Sequence, residues 1–377
     1  MSKKQDNSFE TGLYDIDLVS ERRQFLKTVG LGATAPGMLS KTGAPLYGEQ
    51  TQKDSEVTQG ADNFYKSDRV NIRKVTFKNQ YTMLVAGNLV TPINLDVKKQ
   101  SPAIIIGHPM GAVKEQSSML YAQKLAEQDF VTLAIDLPFW GESEGQPRNL
   151  VAPEMYTEAF SAAVDYLGTS DFIDRDHIGV LGICGSGGFA ISAAKMDARL
   201  KAIGTVSMYD MGAVTRNSLN HTVTLEQRKA LIARASEQRY QEFTTGEGIF
   251  LNYLPVKPDE NTDPVTREFW DFYCTPRSIV IPAGRTLELT QNRMLTSEIR
   301  FVNFYPFNDI ETISPRPMMF VSGDQSHSKE FSQVAYDQAN EPKELVWVKG
   351  AGHVDLYDRV DLIPWDNLTS FYREHLV

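Results

Sequence analysis

Ile178-Gly179-Val180-Leu181-Gly182-Ile183-Cys184-Gly185-Ser186-Gly187-Gly188-Phe189-Ala190 is the stretch on which the reading of this chain turns. An apolar run, 178–181, meets a cluster of small residues and continues into a helical pattern from Phe189, so a buried strand passes through a very tight turn into a helix. Such a turn holds its central residue in strained backbone angles and requires small residues two before and two after it. Gly182 and Ser186 meet that requirement around Cys184, and Cys184 and Gly188 meet it around Ser186. Counting from the strand end favours Cys184, because Gly182 then follows Val180-Leu181 without slack. Ser186 would need the strand to run on through Ile183. A small buried cysteine is the plainer alternative. A phosphate-cradling loop is another, but no Gly-x-x-x-x-Gly-Lys pattern and no ribose-binding acid follows at the expected distance.

Working outward, short apolar runs alternate with helical patterns from Arg69 onward. Residues 70–77 and 82–90 read as a leading antiparallel pair, followed by strands at 103–107, 131–135, 178–181, 202–206, 318–321 and 345–348. Helical patterns fill 115–127, 155–167, 189–196, 329–339 and 365–375. Near-continuous Val/Ile/Leu strands suit a sheet covered on both faces, so the expected fold is a doubly wound α/β sheet with mostly parallel strands. The interval 208–315 is far longer than a crossover needs. It reads as a helical cap inserted between the sixth and seventh strands, over the carboxyl edge of the sheet. The domain then spans 67–377, behind a polar, aperiodic linker at 41–66.

The whole chain has 377 residues, a net charge of −10, 41% hydrophobic and 23% charged residues, which is the balance of a globular protein with a full core. A net negative surface gives a nucleic acid no general attraction, so none is expected as a partner. Two cysteines, Cys184 and Cys274, are too few for a disulfide framework and wrongly spaced for a zinc site, although they could pair with each other. No metal or other cofactor is expected. No apolar run is long enough for a membrane span.

In the segment 1–40, Arg22-Arg23-Gln24-Phe25-Leu26-Lys27 and the mildly apolar stretch 28–39 resemble a twin-arginine export signal. Glu21 and the acids before it depart from that pattern, and Pro36 follows the small-x-small site Ala33-Thr34-Ala35. The expectation is a protein exported already folded, to the periplasm or beyond; a short amphipathic helix is the alternative, with the protein in the cytoplasm.

A thiol at the turn needs a base. Of the six histidines, His353 stands just after the last strong strand, on the Gly-rich turn Lys349-Gly350-Ala351-Gly352-His353-Val354-Asp355. His177, His221 and His375 read as surface residues and His108 as a loop-shaping one. His327 lies in Gly323-Asp324-Gln325-Ser326-His327-Ser328, the loop where an orienting carboxylate belongs. The favoured acid there is Asp324, with Asp210 after the preceding strand as the alternative. An oxyanion needs two backbone donors. Gly185, next after the cysteine, supplies one, and Met110 supplies the other because Pro109 has no N–H. The cap adds Phe243, Phe250, Tyr253, Phe269, Trp270, Phe272, Tyr273, Phe301, Phe304, Tyr305 and Phe307. Some of these are expected to glue the cap to the sheet and a few to face a ligand.

The turn 182–187, the loop His108-Pro109-Met110-Gly111 with Lys114-Glu115-Gln116, Asp136 with Gly141-Glu142-Ser143, and Gly350-Ala351-Gly352-His353-Val354-Asp355-Leu356-Tyr357 together resemble the α/β-hydrolases of dienelactone-hydrolase type, and among them the YcjY-type bacterial members. The resemblance covers about residues 70–377. It implies a nucleophile, His and acid triad acting on a small-molecule acyl substrate, an ester, thioester or lactone, through a covalent acyl-enzyme. The family's Cys and His carry over to Cys184 and His353, but its Asp falls on Ser326. The small family members also lack the long cap. Acyl transfer at the same site, ligand binding without turnover, and thiol redox chemistry between the two cysteines are the competing expectations.

Overall fold

The structure, a computed structural model, describes residues 58–251, 254–255, 257–281 and 291–377. The twin-arginine-like segment, most of the expected linker and Tyr253 lie outside the described residues. The strands are β1 (Val70–Lys78), β2 (Leu84–Pro92), β3 (Ser101–Gly107), β4 (Val131–Ile135), β5 (Ile173–Ile183), β6 (Leu200–Val206), β7 (Phe250–Leu251), β8 (Arg293–Met294), β9 (Met318–Gly323) and β10 (Lys343–Val348). Eight of them form one sheet in the order β1-β2-β4-β3-β5-β6-β9-β10. β1 pairs antiparallel with β2 and β2 with β4, while every pairing from β4 to β10 is parallel. The doubly wound, mostly parallel α/β sheet expected from the apolar runs is therefore the fold observed.

Strands β3, β4 and β5 owe their central places to composition. Ile104, Ile105, Ile106, Leu133, Ile135, Val180 and Leu181 are all fully buried, and burying each such side chain is worth about 1.5–3 kcal/mol. Both faces are covered because successive residues point to opposite sides. A side chain at Gly179 would meet Tyr372 and Leu376 of the helix Trp365–Leu376, whereas one at Gly182, three residues on, would meet Ser186 and Gly187 of the helix Gly185–Met196. The latter helix packs beside Pro153–Gly168, whose Pro153 starts the first turn and whose buried Tyr156, Phe160, Ala163 and Leu167 recur at helical spacing.

The insertion between β6 and β9 contains the helices Met211–Asn217, Leu225–Thr245, Pro264–Tyr273 and Leu295–Glu298, and the two-stranded ladder of β7 and β8. Leu225–Thr245 begins with a capping box between Thr224 and Gln227 and ends at Gly246 in the left-handed conformation. Phe243 on this helix is 92% exposed. Phe301 and Phe304 pack instead on Phe189 of the helix Gly185–Met196, which is the gluing role. Among the described residues no helix is long and apolar enough to cross a membrane.

Residues 58–66, expected as the end of a linker, pack against the domain instead. Asn63 is buried; its Oδ1 accepts the Ser117 N–H at 2.6 Å and its amide donates to the Glu115 carbonyl at 3.1 Å. A polar side chain with backbone partners at both ends was not visible as periodicity.

The loops after β3 and β4 are locked together by a buried charge cluster. The Lys114 ammonium, with no exposed surface, lies 2.8 Å from Asp136 Oδ2, 2.7 Å from Glu142 Oε2 and 3.0 Å from Glu115 Oε1. Asp136 also accepts the Lys114 and Glu142 N–H groups, each at 2.8 Å. Burial opposes the Lys114 charge, but Asp136 and Glu115 outweigh it and raise its pKa. Removing one partner of a buried pair strands the other, so Lys114→Met is expected to lower unfolding stability by about 3–5 kcal/mol. Urea denaturation checks this, and a loss below about 1 kcal/mol contradicts it. Hydrogen bonds from Lys114 and then Lys74 hold the Glu142 carboxyl at about 2, against 4.5 for the free group. A depressed carboxyl stabilises the fold above its unfolded value, and that stabilisation is lost as pH falls through the folded value. The Glu142→Gln variant should therefore show a shallower loss of melting temperature between pH 4.5 and pH 2 than the parent.

Candidate active site

β5 runs on through Ile183, past the end expected at Leu181, so strand length does not favour Cys184 over Ser186. The backbone does, since Ser186 lies within the helix Gly185–Met196 whereas Cys184 stands at the turn into it, with φ 53° and ψ −121°. A non-glycine residue there is strained, by about 1–3 kcal/mol, and the backbone holds it on three sides. Its N–H donates to the Val206 carbonyl at 3.0 Å, and its carbonyl accepts from Gly187 at 2.9 Å and Tyr209 at 3.0 Å. Cys184 is 5% exposed. Burial pushes its pKa up; the Tyr357 hydroxyl and the backbone N–H groups of Gly185 and Met110 face the sulfur and work in the opposite direction. Gly185 and Met110, the two donors expected from the sequence, are neighbours here: a side chain at Gly185 would stand 3.3 Å from the Met110 nitrogen.

Ser186 lies in the first turn of the same helix, fully buried, and its hydroxyl donates to the His108 carbonyl at 2.5 Å. That bond ties the helix to the loop after β3. His108 itself shapes this loop: Nε2 accepts the Leu137 N–H at 3.1 Å, so Nδ1 carries the proton and donates to the Pro109 carbonyl at 2.7 Å.

His353 is fully buried, and both ring nitrogens are engaged by hydroxyls. Nδ1 lies 2.6 Å from Ser328 Oγ and Nε2 lies 2.8 Å from the Tyr357 hydroxyl. The same phenol thus faces the Cys184 sulfur and the His353 ring. Burial, and then the neighbouring His327, push the His353 pKa well below its ordinary value.

The expected carboxylate is not on this histidine. Asp324 accepts the Gly350 N–H at 2.8 Å and the Gln325 amide at 3.1 Å, which turns it toward the loop after β10. Asp210 caps the helix Met211–Asn217 by accepting the Ala213 N–H at 2.8 Å. Neither hydrogen-bonds His353. Ser328 takes that place, backed by Ser326 Oγ at 3.0 Å, so hydroxyls occupy the position where the family pattern puts an acid.

A carboxylate does enter the site, from the cap. Glu268 belongs to the helix Pro264–Tyr273, which starts with Asp263 accepting the Thr266 N–H at 3.0 Å. Its Oε2 lies 3.0 Å from His327 Nδ1, and its Oε1 accepts the Val354 N–H at 2.7 Å. The next residue, Phe269, packs edge-on against both His327 and His353, each at 5.4 Å between ring centroids. Tyr209 closes on His353 at 5.0 Å.

Tyr357, Ser328 and Glu268 were not singled out from the sequence. Tyr357 had a signal, since it lies four residues after His353 and one helical turn brings such positions together. Glu268 had none, because only the folded cap brings it to the β9 and β10 loops. Among the described residues no group of three His, Cys, Asp or Glu side chains is arranged to hold a metal ion, and Cys184 and Cys274 form no disulfide with each other.

The arrangement is a chain of exchangeable protons, from thiol to phenol to imidazole to serine, beside two backbone donors. Known proteins with related sequences are consistent with this architecture. The model of the dienelactone hydrolase family matches residues 85–238. PA2218 of Pseudomonas aeruginosa, an uncharacterized protein, is 44% identical over 328 residues, 86% of this chain and 87% of that one. Its crystal structure superposes with a TM-score of 0.79, covering 87% of this chain and all of that one at 42% identity. YcjY of Escherichia coli, also uncharacterized, is 36% identical over 76% of this chain and 92% of its own length. The thiohydrolase AneE of Aspergillus aculeatus is 28% identical over 67% of this chain and 78% of its own. With its sheet order, its strained turn at 184 and these relatives, the chain belongs to the dienelactone hydrolase family of α/β-hydrolases.

Proposed function

We propose that the protein hydrolyses a carboxylic ester, thioester or lactone through an acyl-enzyme formed on Cys184. The observation that carries this reading is the strained turn that holds Cys184 at φ 53° between Gly185 and the Met110 loop, with Tyr357, the hydrogen-bond partner of His353, beside it. Donors placed in advance around a reacting centre are worth about 3–4 kcal/mol each to an oxyanion. The thioester option gains support from the relative whose name is thiohydrolase.

With the His353 proton on Nδ1 and donated to Ser328, Nε2 accepts from Tyr357, and the phenol oxygen in turn accepts from the thiol. As sulfur bonds the acyl carbon, its proton passes to the Tyr357 oxygen while the phenol proton passes to Nε2. The carbonyl oxygen takes up negative charge against Gly185 and Met110. The bond to the leaving group then breaks, and that group departs with the proton from His353. Water completes the cycle, releasing the acid and restoring the thiol. The resting pair is neutral, because burial raises the thiol pKa and lowers that of the imidazole. Cysteine tolerates this better than serine, since it is the stronger nucleophile at its ordinary pKa. Phe269 and Tyr209, packed on His353, and Tyr273, packed on Tyr357, make these surroundings suit an apolar acyl group. The twin-arginine-like stretch supports a location outside the cytoplasm.

Brief exposure to a short activated ester, followed by intact-protein mass measurement, should show one acyl group on the parent protein and on Ser186→Ala, and none on Cys184→Ala. Turnover in Cys184→Ala should fall by at least about a thousandfold. An adduct that persists in Cys184→Ala contradicts the assignment. The base must be neutral to act, so activity is lost as pH falls through the His353 pKa, which lies well below 6.5. The acid limb of kcat/KM should accordingly be centred below 6.5, and a limb centred at or above that value counts against His353.

A further inference from the structure

His327 and Glu268 form a second imidazole–carboxylate pair beside the first imidazole, and the steps above do not use it. The Glu268 Oε2 at 3.0 Å from Nδ1 fixes the His327 tautomer, with its proton on Nδ1 and a lone pair on Nε2. That Nε2 is buried and has no hydrogen-bond partner among the described residues. His353 differs in having both nitrogens engaged. The two rings lie 4.7 Å apart between centroids, inclined by 36°. Tyr209, at 5.8 Å, and Phe269 pack on the His327 ring as they do on the His353 ring. An oriented acceptor buried without a donor is costly to keep, and a molecule that offers an O–H to it recovers that cost.

We propose that His327 is the general base of the second half-reaction, taking the proton of the water that attacks the acyl group on Cys184, with Glu268 as its positioning residue. The proposal rests on the acyl-enzyme reading and divides the labour between two histidines. The His353 relay serves formation of the acyl-enzyme, and the His327 pair serves its breakdown. In the breakdown, the water oxygen bonds the acyl carbon and one of its protons goes to His327 Nε2. The carbon–sulfur bond then breaks. The carboxylic acid leaves with the other water proton, and the proton held by His327 is returned to the Cys184 thiolate. No co-reactant other than water is needed.

Pre-steady-state kinetics with a short p-nitrophenyl ester, together with the lifetime of the Cys184 adduct by intact mass, test this in His327→Gln and Glu268→Gln. General-base catalysis contributes about 10²–10⁴-fold, so in His327→Gln adduct decay should slow by about a hundredfold while the acylation burst stays within about threefold of the parent. Glu268→Gln keeps an oxygen for the Val354 N–H and should slow decay by about tenfold, again sparing the burst. It also answers the question alone if His327→Gln does not fold. Adduct lifetimes unchanged in the folded variants, or burst and decay slowed equally, overturn the role of His327. A parent protein that forms no Cys184 adduct overturns the acyl-enzyme reading and this inference with it. An adduct in the parent with unchanged decay in the variants overturns this inference alone.

Discussion

The turn at residues 182–187 admits almost no freedom, and the site is built on that restriction. A side chain at Gly182 would stand 2.3 Å from the Ser186 carbonyl oxygen and 2.6 Å from the Gly187 Cα. Only with that position bare can the chain reverse fast enough to lift Cys184 clear of the strand end at φ 53°. The strain persists because its surroundings overdetermine it. β5 is hydrogen-bonded along both edges, to β3 and β6, and Val206, at the end of β6, accepts the Cys184 N–H. Gly107, at the end of β3, must be equally bare, since a side chain there would meet Ser186 Oγ at 2.7 Å. The same serine holds the His108 carbonyl, so one hydroxyl ties the turn to the loop that presents Met110.

The electrostatics of the site follow from burial more than from charge. A thiol, a phenol and an imidazole that are all buried are favoured in their neutral forms: burial raises the Cys184 and Tyr357 pKa values and lowers that of His353. A carboxylate on His353 Nδ1 would favour the imidazolium, as in the familiar triads. Ser328 orients the ring without supplying that charge. In the proposed mechanism the proton therefore moves in concert with attack by sulfur, and charge separation is confined to the moment when the two N–H donors can offset it.

Much of the fold was legible because its cause is local. Val/Ile/Leu runs such as 103–107 and 131–135 must be buried on both faces, and only a layered sheet with flanking helices does that. The turn was legible for the same reason, its small residues being imposed by contacts a few residues away. The orienting partner of His353 was not. Asp324 lies in the expected loop, but its carboxylate satisfies the Gly350 N–H, a choice made by the geometry of the β10 turn and invisible in spacing. Glu268 was further out of reach, because what decides its place is the docking of a cap helix whose sequence is merely amphipathic.

That docking makes the cap more than a cover. The helix Pro264–Tyr273 ends near Arg277, whose guanidinium is buried on Asp358, with 2.7 Å from Nη2 to Oδ1 and 3.0 Å from Nε to Oδ2, and which also reaches Asp271 at 2.7 Å. Asp358 is the residue after Tyr357, and Glu268 accepts the N–H of Val354, the residue after His353. The cap therefore grips both ends of the turn that carries the imidazole and the phenol. Any movement that withdrew it would strand the Asp358 charge in a buried position, which is costly. It would also release the turn that carries His353 and Tyr357, which are hydrogen-bonded to each other at 2.8 Å. The insertion and the sheet thus shape one site jointly, with Cys184 set by the strand ends of the sheet and the turn of His353 and Tyr357 held by the cap.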